Sequence, residues 1–156
     1  MSKREFFAEL AADLAALLAG ERDLIANAAN TAAMLFARLD QVNWAGFYFL
    51  RGEQLVLGPF QGKPACVRIA LGRGVCGTAA LRRQTLVVPN VHEFPGHIAC
   101  DAASNSEVVV PILYGERVLG VLDIDSPVRG RFDAADGQGL ERIVAEFCRA
   151  TDLDYV

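Results

Sequence analysis

The apolar residues of this chain change period twice, and that limits the fold more than any other feature of the sequence. Phe6, Leu10, Leu14, Leu17 and Leu18 recur at helical spacing behind a Ser2/Glu5 capping-box pattern, and Gly20 stops the segment. The spacing predicts a second helix from about Asp23 to Leu39, with Leu24, Ala28, Ala32, Leu35 and Leu39 on one face. From Val42 the period drops to two. Val42–Leu50 and Gln54–Phe60 read as a hairpin joined through Arg51-Gly52-Glu53. A strand at about Cys66–Ala70, a glycine-punctuated turn at Leu71–Gly74, a short helix near Cys76–Arg82 and a short strand at Leu86–Pro89 follow. Two strong strands, Glu107–Tyr114 and Val118–Asp125, come next. The helical period then returns: Asp133 caps a helix through about Arg149, with Leu140, Ile143, Val144 and Phe147 as its buried stripe. Helices first, antiparallel strands in the middle and a helix last give an α+β fold, a central antiparallel sheet with helices packed mainly on one face.

At 156 residues, 53% of them hydrophobic, the chain reads as one domain with a proper core and is far from disordered. The formal charge is -4 and the basic residues are scattered, so no nucleic-acid partner is expected. No apolar run approaches the ~18 residues of a membrane span. Lys3 and Arg4 are followed by Glu5, Glu9 and Asp13 where a signal peptide carries an uncharged apolar stretch. The expectation is a cytoplasmic protein whose thiols rest reduced.

Cys66, Cys76 and Cys100 crowd into the middle of the chain beside glycine or proline, while Cys148 stands apart. Clustered thiols in a reducing compartment point to metal binding or redox chemistry. As metal ligands they fit poorly, because no two cysteines are close. His97 and Cys100, with His92 nearby, make at most half a site. No metal and no cofactor is expected. As redox thiols they fit better. Asn90–Asn105 is aperiodic and reads as a long functional loop, which places Cys100 as the attacking residue. Cys66 and Cys76 are candidates to resolve its oxidised form. Cys76 follows the glycine turn and opens a helix, where backbone N–H groups favour a thiolate. Cys148 reads as a small buried hydrophobe.

Asp123 and Asp125 interrupt an apolar strand at i and i+2 and so share a face. If the hairpin closes through a three-residue loop at Gly115–Arg117, Glu107 stands opposite Asp125; a two-residue loop shifts that register. Three clustered carboxylates raise at least one pKa and offer a seat for an ammonium group. A pair of strand-end aspartates that bind loop backbone is an equal reading. Trp44, Gly46 and Tyr48 share one face of the first strand, and Phe47 and Phe49 share the other. The glycine suggests a gap between rings that suits a methyl group.

Together these elements resemble the free methionine-(R)-sulfoxide reductases, a family built on the GAF domain. The resemblance rests on Asn43-Trp44-Ala45-Gly46-Phe47-Tyr48, Gly58-Pro59-Phe60-Gln61-Gly62, Gly72-Arg73-Gly74-Val75-Cys76-Gly77, His97-Ile98-Ala99-Cys100-Asp101, Ser104-Asn105-Ser106-Glu107 and Leu122-Asp123-Ile124-Asp125-Ser126. It spans nearly the whole chain and implies a single GAF domain over residues 1–156. It implies that Cys100 is the catalytic thiol, that Cys66 resolves its sulfenic acid to a disulfide, and that Cys76 can also pair with Cys100. By the same resemblance Trp44 and Tyr48 wall the substrate, and Glu107, Asp123 and Asp125 bind its amino group and polarised sulfoxide. The implied partners are free methionine-(R)-sulfoxide and thioredoxin or a similar dithiol; GAF domains also often form homodimers. A non-catalytic GAF domain that senses a small ligand or thiol oxidation is the alternative.

Overall fold

A computed structural model of the chain describes residues 1–97, 103–154 and 156. Two helices come first, α1 (Lys3–Leu17) and α2 (Leu24–Arg38). The strands β1 (Trp44–Arg51), β2 (Gln54–Gly62) and β3 (Arg68–Ala70) precede helix α3 (Gly74–Arg82). Then come β4 (Leu86–Val88), a 3-10 turn at Val91–Glu93, β5 (Ser106–Tyr114), β6 (Arg117–Ser126) and helix α4 (Ala134–Ala150).

The helix ends follow local chemistry. Ser2 caps α1 by accepting from Glu5 N–H, but Glu5 Oε1 takes its bond from the Ser2 hydroxyl rather than the backbone, so the expected capping box is half formed. Asp23 caps α2 by accepting from Ala26 N–H. The full capping box belongs to α4, where Asp133 and Asp136 each accept the other's backbone N–H. Lys3 bridges to Asp136 at 2.7 Å and to Asp133 at 3.1 Å, joining the starts of α1 and α4.

The six strands form one antiparallel sheet in the order β3-β2-β1-β6-β5-β4. Alternation along each strand sorts side chains onto two faces. Phe47 and Phe49 of β1, Val108 and Val110 of β5, and Leu122 and Ile124 of β6 face the layer of α1, α2 and α4. Phe147 of α4 stacks on Phe47 with ring centroids 4.8 Å apart. The opposite parity, with Trp44, Tyr48, Val109 and Val121, packs against α3 through Val75, Cys76 and Ala79.

The β5–β6 hairpin closes through the shorter of the two loops the sequence allows, yet keeps Glu107 opposite Asp125. Tyr114 pairs with Arg117, so the turn holds two residues, Gly115 and Glu116, rather than three. Gly115 takes φ 63°, the left-handed conformation such a turn demands. That turn alone would place Glu107 one residue out of line with Asp125. The register then shifts by one between Ile112 and Leu113, leaving Leu119 as an extra residue on β6, and Glu107 faces Asp125 after all. Burial accounts for the bulge: Leu119 enters the helix-side core although its parity in the sequence opposes that of Leu122 and Ile124. No helix among the described residues is long and apolar enough to cross a membrane.

Candidate active site

Three adjacent strands build the site by register alone. Trp44 lies opposite Asp125 and Gly46 opposite Asp123 across β1 and β6; Asp125 in turn lies opposite Glu107 across β6 and β5. Because Asp123 and Asp125 are two apart, both carboxyls reach the face that α3 covers. Trp44, Tyr48, Cys76, Glu107, Asp123 and Asp125 all line one cavity there. Ala65, Ile69, Arg73, the start of α3, His97 and Ser104 complete its wall among the described residues. Asp125 is partly exposed, whereas Glu107 and Asp123 are 8% and 5% exposed.

Burial governs the charge state of this cluster. It is the largest influence on Glu107 and Asp123 and pushes both carboxyls well above the usual range. The neighbouring charge adds to it, Asp123 acting on Glu107 and Asp125 on Asp123. The pair therefore retains protons where exposed carboxylates have lost theirs. The Cys76 thiol donates to Glu107 Oε2 across 3.7 Å. Its position in the first turn of α3 led to the expectation of a favoured thiolate. Burial and the nearby carboxylates outweigh the helix terminus and push this thiol well above its ordinary pKa, so Cys76 is a buried neutral thiol. Tyr48 is likewise held protonated, first by burial and then by Asp123, and its hydroxyl donates to Cys66 C=O at 2.9 Å.

The aromatic wall differs from its sequence reading in one respect. Trp44 stacks on Tyr48 at 5.9 Å, with its indole N–H donating to Lys63 C=O at 3.1 Å. No methyl-sized gap opens over Gly46, because Phe60 of β2 fills that space. A Cβ at Gly46 would collide with the Cβ of Phe60, and Phe60 stacks on Trp44 at 5.2 Å. The glycine serves this close approach of two strands. Phe60 was missed because the β1–β2 register shifts between Gly46 and Tyr48; an unbroken hairpin would set Pro59 opposite Gly46.

Two cavity residues were not assigned to the substrate site from the sequence. Arg73 precedes α3 and is the one cationic side chain among the described cavity residues. His97 sits with its ring 6.1 Å from that of His92, and burial followed by the His92 charge lowers its pKa. The end of the loop is pinned to β6: Asn105 N–H donates to Ser126 C=O at 2.8 Å, and Asn105 Nδ2 donates to Pro127 C=O at 2.8 Å. Cys66 is disulfide-bonded, whereas Cys76 and Cys148 are free. Cys148 is only partly buried, against the expectation of a buried hydrophobe, though that burial still pushes its thiol up to about 11. Cys100, the expected nucleophile, lies outside the described residues.

Comparison with known proteins converges on one family. The GAF domain model matches residues 3–151. The free methionine-R-sulfoxide reductase of Escherichia coli (strain K12) is 58% identical over 146 residues, spanning 94% of this chain and 88% of that protein. The crystal structure of a candidate GAF sensor protein from Burkholderia vietnamiensis superposes with a TM-score of 0.93 at 58% identity, covering 97% of this chain and 96% of the other. The Staphylococcus aureus free methionine-R-sulfoxide reductase, solved in complex with its substrate, gives a TM-score of 0.88 at 50% identity, covering 92% and 94%. Identity of this extent, over nearly the full length of both chains, is far more than a shared fold requires: the chain belongs to the GAF-domain family of free methionine-R-sulfoxide reductases.

Proposed function

We propose that this chain reduces free L-methionine-(R)-sulfoxide to L-methionine within one GAF domain spanning residues 1–156. The observation that carries this reading is the pair of proton-retaining carboxyls, Glu107 and Asp123, on the same sheet face as the aromatic wall of Trp44 and Tyr48. A sulfoxide sulfur becomes electrophilic when its oxygen receives a proton or a strong hydrogen bond, and a buried protonated carboxyl supplies one. The Cys100 thiolate attacks that sulfur. An S–S bond forms as the S–O bond breaks, and the oxygen departs as hydroxide with the carboxyl's proton. Hydroxide then attacks the Cys100 sulfur, the S–S bond breaks with its electron pair going to methionine, and the oxygen remains on Cys100 as a sulfenic acid. The Cys66 thiol then forms a disulfide with Cys100 and releases the oxygen as water; Cys76 is the alternative resolving thiol. Thioredoxin or a similar dithiol reduces the disulfide and is itself oxidised, a feasible exchange at cytosolic potentials. Asp125, with its neighbours, pairs with the substrate ammonium, a group that methionine within a peptide lacks. The reading also carries a cytoplasmic location and a homodimer as expectations.

The test is the release of methionine from the R and S epimers of free methionine sulfoxide, by wild type and Cys100→Ser, with thioredoxin or dithiothreitol as reductant. Turnover of the R epimer alone, lost in the variant, is the expected result. Reduced wild-type protein that acts on neither epimer would sink the proposal.

A further inference from the structure

The register that assembles the carboxyl cluster also sets a thiol into it. One ligand atom from each of Cys76, Glu107 and Asp123 lies within 4.8 Å of the other two, and all three residues are buried. A second observation marks the cluster as a place for a positive ligand. Among the described residues, Asp123 Oδ1 is buried with no hydrogen-bond partner, in a side chain that is only 5% exposed. A buried acceptor left unsatisfied is costly, more so when it is charged, and a cation at that oxygen removes the cost.

The donor set selects the cation. Two carboxyl oxygens and one sulfur are too few and too soft for calcium or magnesium, which take six or more oxygen ligands. A sulfur–oxygen set favours a thiophilic ion that accepts four ligands. Tetrahedral zinc, with Zn–S near 2.3 Å and Zn–O near 2.0 Å, separates sulfur from oxygen by about 3.5 Å. Cys76 Sγ lies 3.7 Å from Glu107 Oε2, so that edge of the tetrahedron is already in place. All three residues line the cavity that Trp44 and Tyr48 also line, which is open to a fourth ligand.

We propose that the reduced protein binds one thiophilic divalent cation of the zinc class through Cys76, Glu107 and Asp123, and that this ion excludes the sulfoxide substrate. The ion is a reversible inhibitor and not a cofactor. As it binds, the protons held on the Cys76 thiol and on the Glu107 and Asp123 carboxyls pass to solvent, metal–sulfur and metal–oxygen bonds form and no electron is transferred. Exclusion of substrate rests on the reductase reading above; binding of the ion does not.

Calorimetric titration of Zn2+ into reduced full-length protein, with a phosphine reductant that leaves the metal free, tests this. Wild type is compared with Cys76→Ser and with the double variant Cys66→Ser/Cys100→Ser. Wild type and the double variant are expected to bind one ion per chain. Cys76→Ser should bind more weakly by at least the ~10–100-fold that losing even an outer-sphere partner costs. Binding kept by Cys76→Ser and lost in the double variant would overturn the assignment, because the ion would then sit on the redox pair. Should Cys76→Ser fail to fold, Co2+ added to the double variant with Cys148→Ser as well, which leaves Cys76 as its one thiol, decides the matter. A thiolate-to-metal charge-transfer band supports Cys76 as ligand, and its absence refutes it. In turnover assays Zn2+ should raise the apparent KM with kcat unchanged, reversed by a chelator; a fall in kcat at constant KM would contradict exclusion of the substrate. Protein that binds Zn2+ through Cys76 yet reduces neither epimer upholds the site and removes the reductase reading.

Discussion

The two faces of the sheet are made by the same strands and behave as different materials. Toward α1, α2 and α4 the strands present Phe47, Val108, Val110, Leu122 and Ile124, which join one apolar cluster with those helices. One residue along, the same strands present Trp44, Tyr48, Glu107, Asp123 and Asp125 to the α3 side. The first face supplies stability through burial of apolar surface. The second spends some of it by burying carboxyls and a thiol that water would solvate better. Strand parity, and therefore register, decides which residue goes where. The Leu119 bulge holds that division in place for β6.

Inserting one alanine between Gly120 and Val121 should break the comparison most severely. The extra residue slips the pairing of β6 beyond Gly120 by one, which drives Asp123 and Asp125 toward the helix-side core and Leu122 and Ile124 out of it. Loss of the cooperative unfolding transition, followed by circular dichroism, is the expected outcome; a folded, fully active insertion variant would show that register does not set the faces. Phe47→Ala, confined to the core face, should cost about 3–5 kcal/mol in denaturant unfolding. Its activity per folded molecule should stay near that of wild type.

Glu107→Gln reverses that pattern. It should lower kcat/KM by roughly 10²–10⁴-fold, the usual contribution of a positioned acid, without lowering stability at neutral pH. Equal losses in both quantities would show that Glu107 is structural. Gly46→Ala tests the aromatic wall: the new Cβ must displace Phe60, and overpacking of this kind costs about 1–3 kcal/mol.

The gentlest effect is the pH dependence of stability. Glu107 and Asp123 have folded pKa values above those of the unfolded chain, so the folded state binds more protons above the ordinary carboxyl range. Their contribution is fully present below the unfolded pKa values and is lost as pH rises through the folded ones. The slope approaches about 1.4 kcal/mol per pH unit for each proton taken up on folding. Unfolding midpoints of Asp123→Asn measured from weakly acidic to alkaline pH should fall less steeply than those of wild type. Parallel curves would count against the buried, proton-retaining carboxyl.

Much of this was legible because local signals agreed with the global arrangement. The period changes gave the order of helices and strands. Asp23 and Asp133 marked helix starts, and the i, i+2 spacing of Asp123 and Asp125 put two carboxyls on one face. What escaped was set by contacts distant in sequence. The bulge at Leu119 answers to the helix-side core, and the shift between Gly46 and Tyr48 brings Phe60 rather than Pro59 onto Trp44. Neither leaves a local mark. The charge state of Cys76 was misread for the same reason. A helix terminus is visible in sequence, but the carboxyls that override it come from β5 and β6.

The most direct test of the central claim, that the α3 face of the sheet handles the proton of the reaction, is a set of pH–rate profiles. Reduction of free methionine-(R)-sulfoxide would be followed for wild type, Glu107→Gln, Asp123→Asn and Asp125→Asn. The account predicts that kcat/KM of wild type falls on the alkaline side as the retained proton is lost. It also predicts that this limb moves or disappears in Glu107→Gln or Asp123→Asn. Profiles of unchanged shape in all three variants would contradict it.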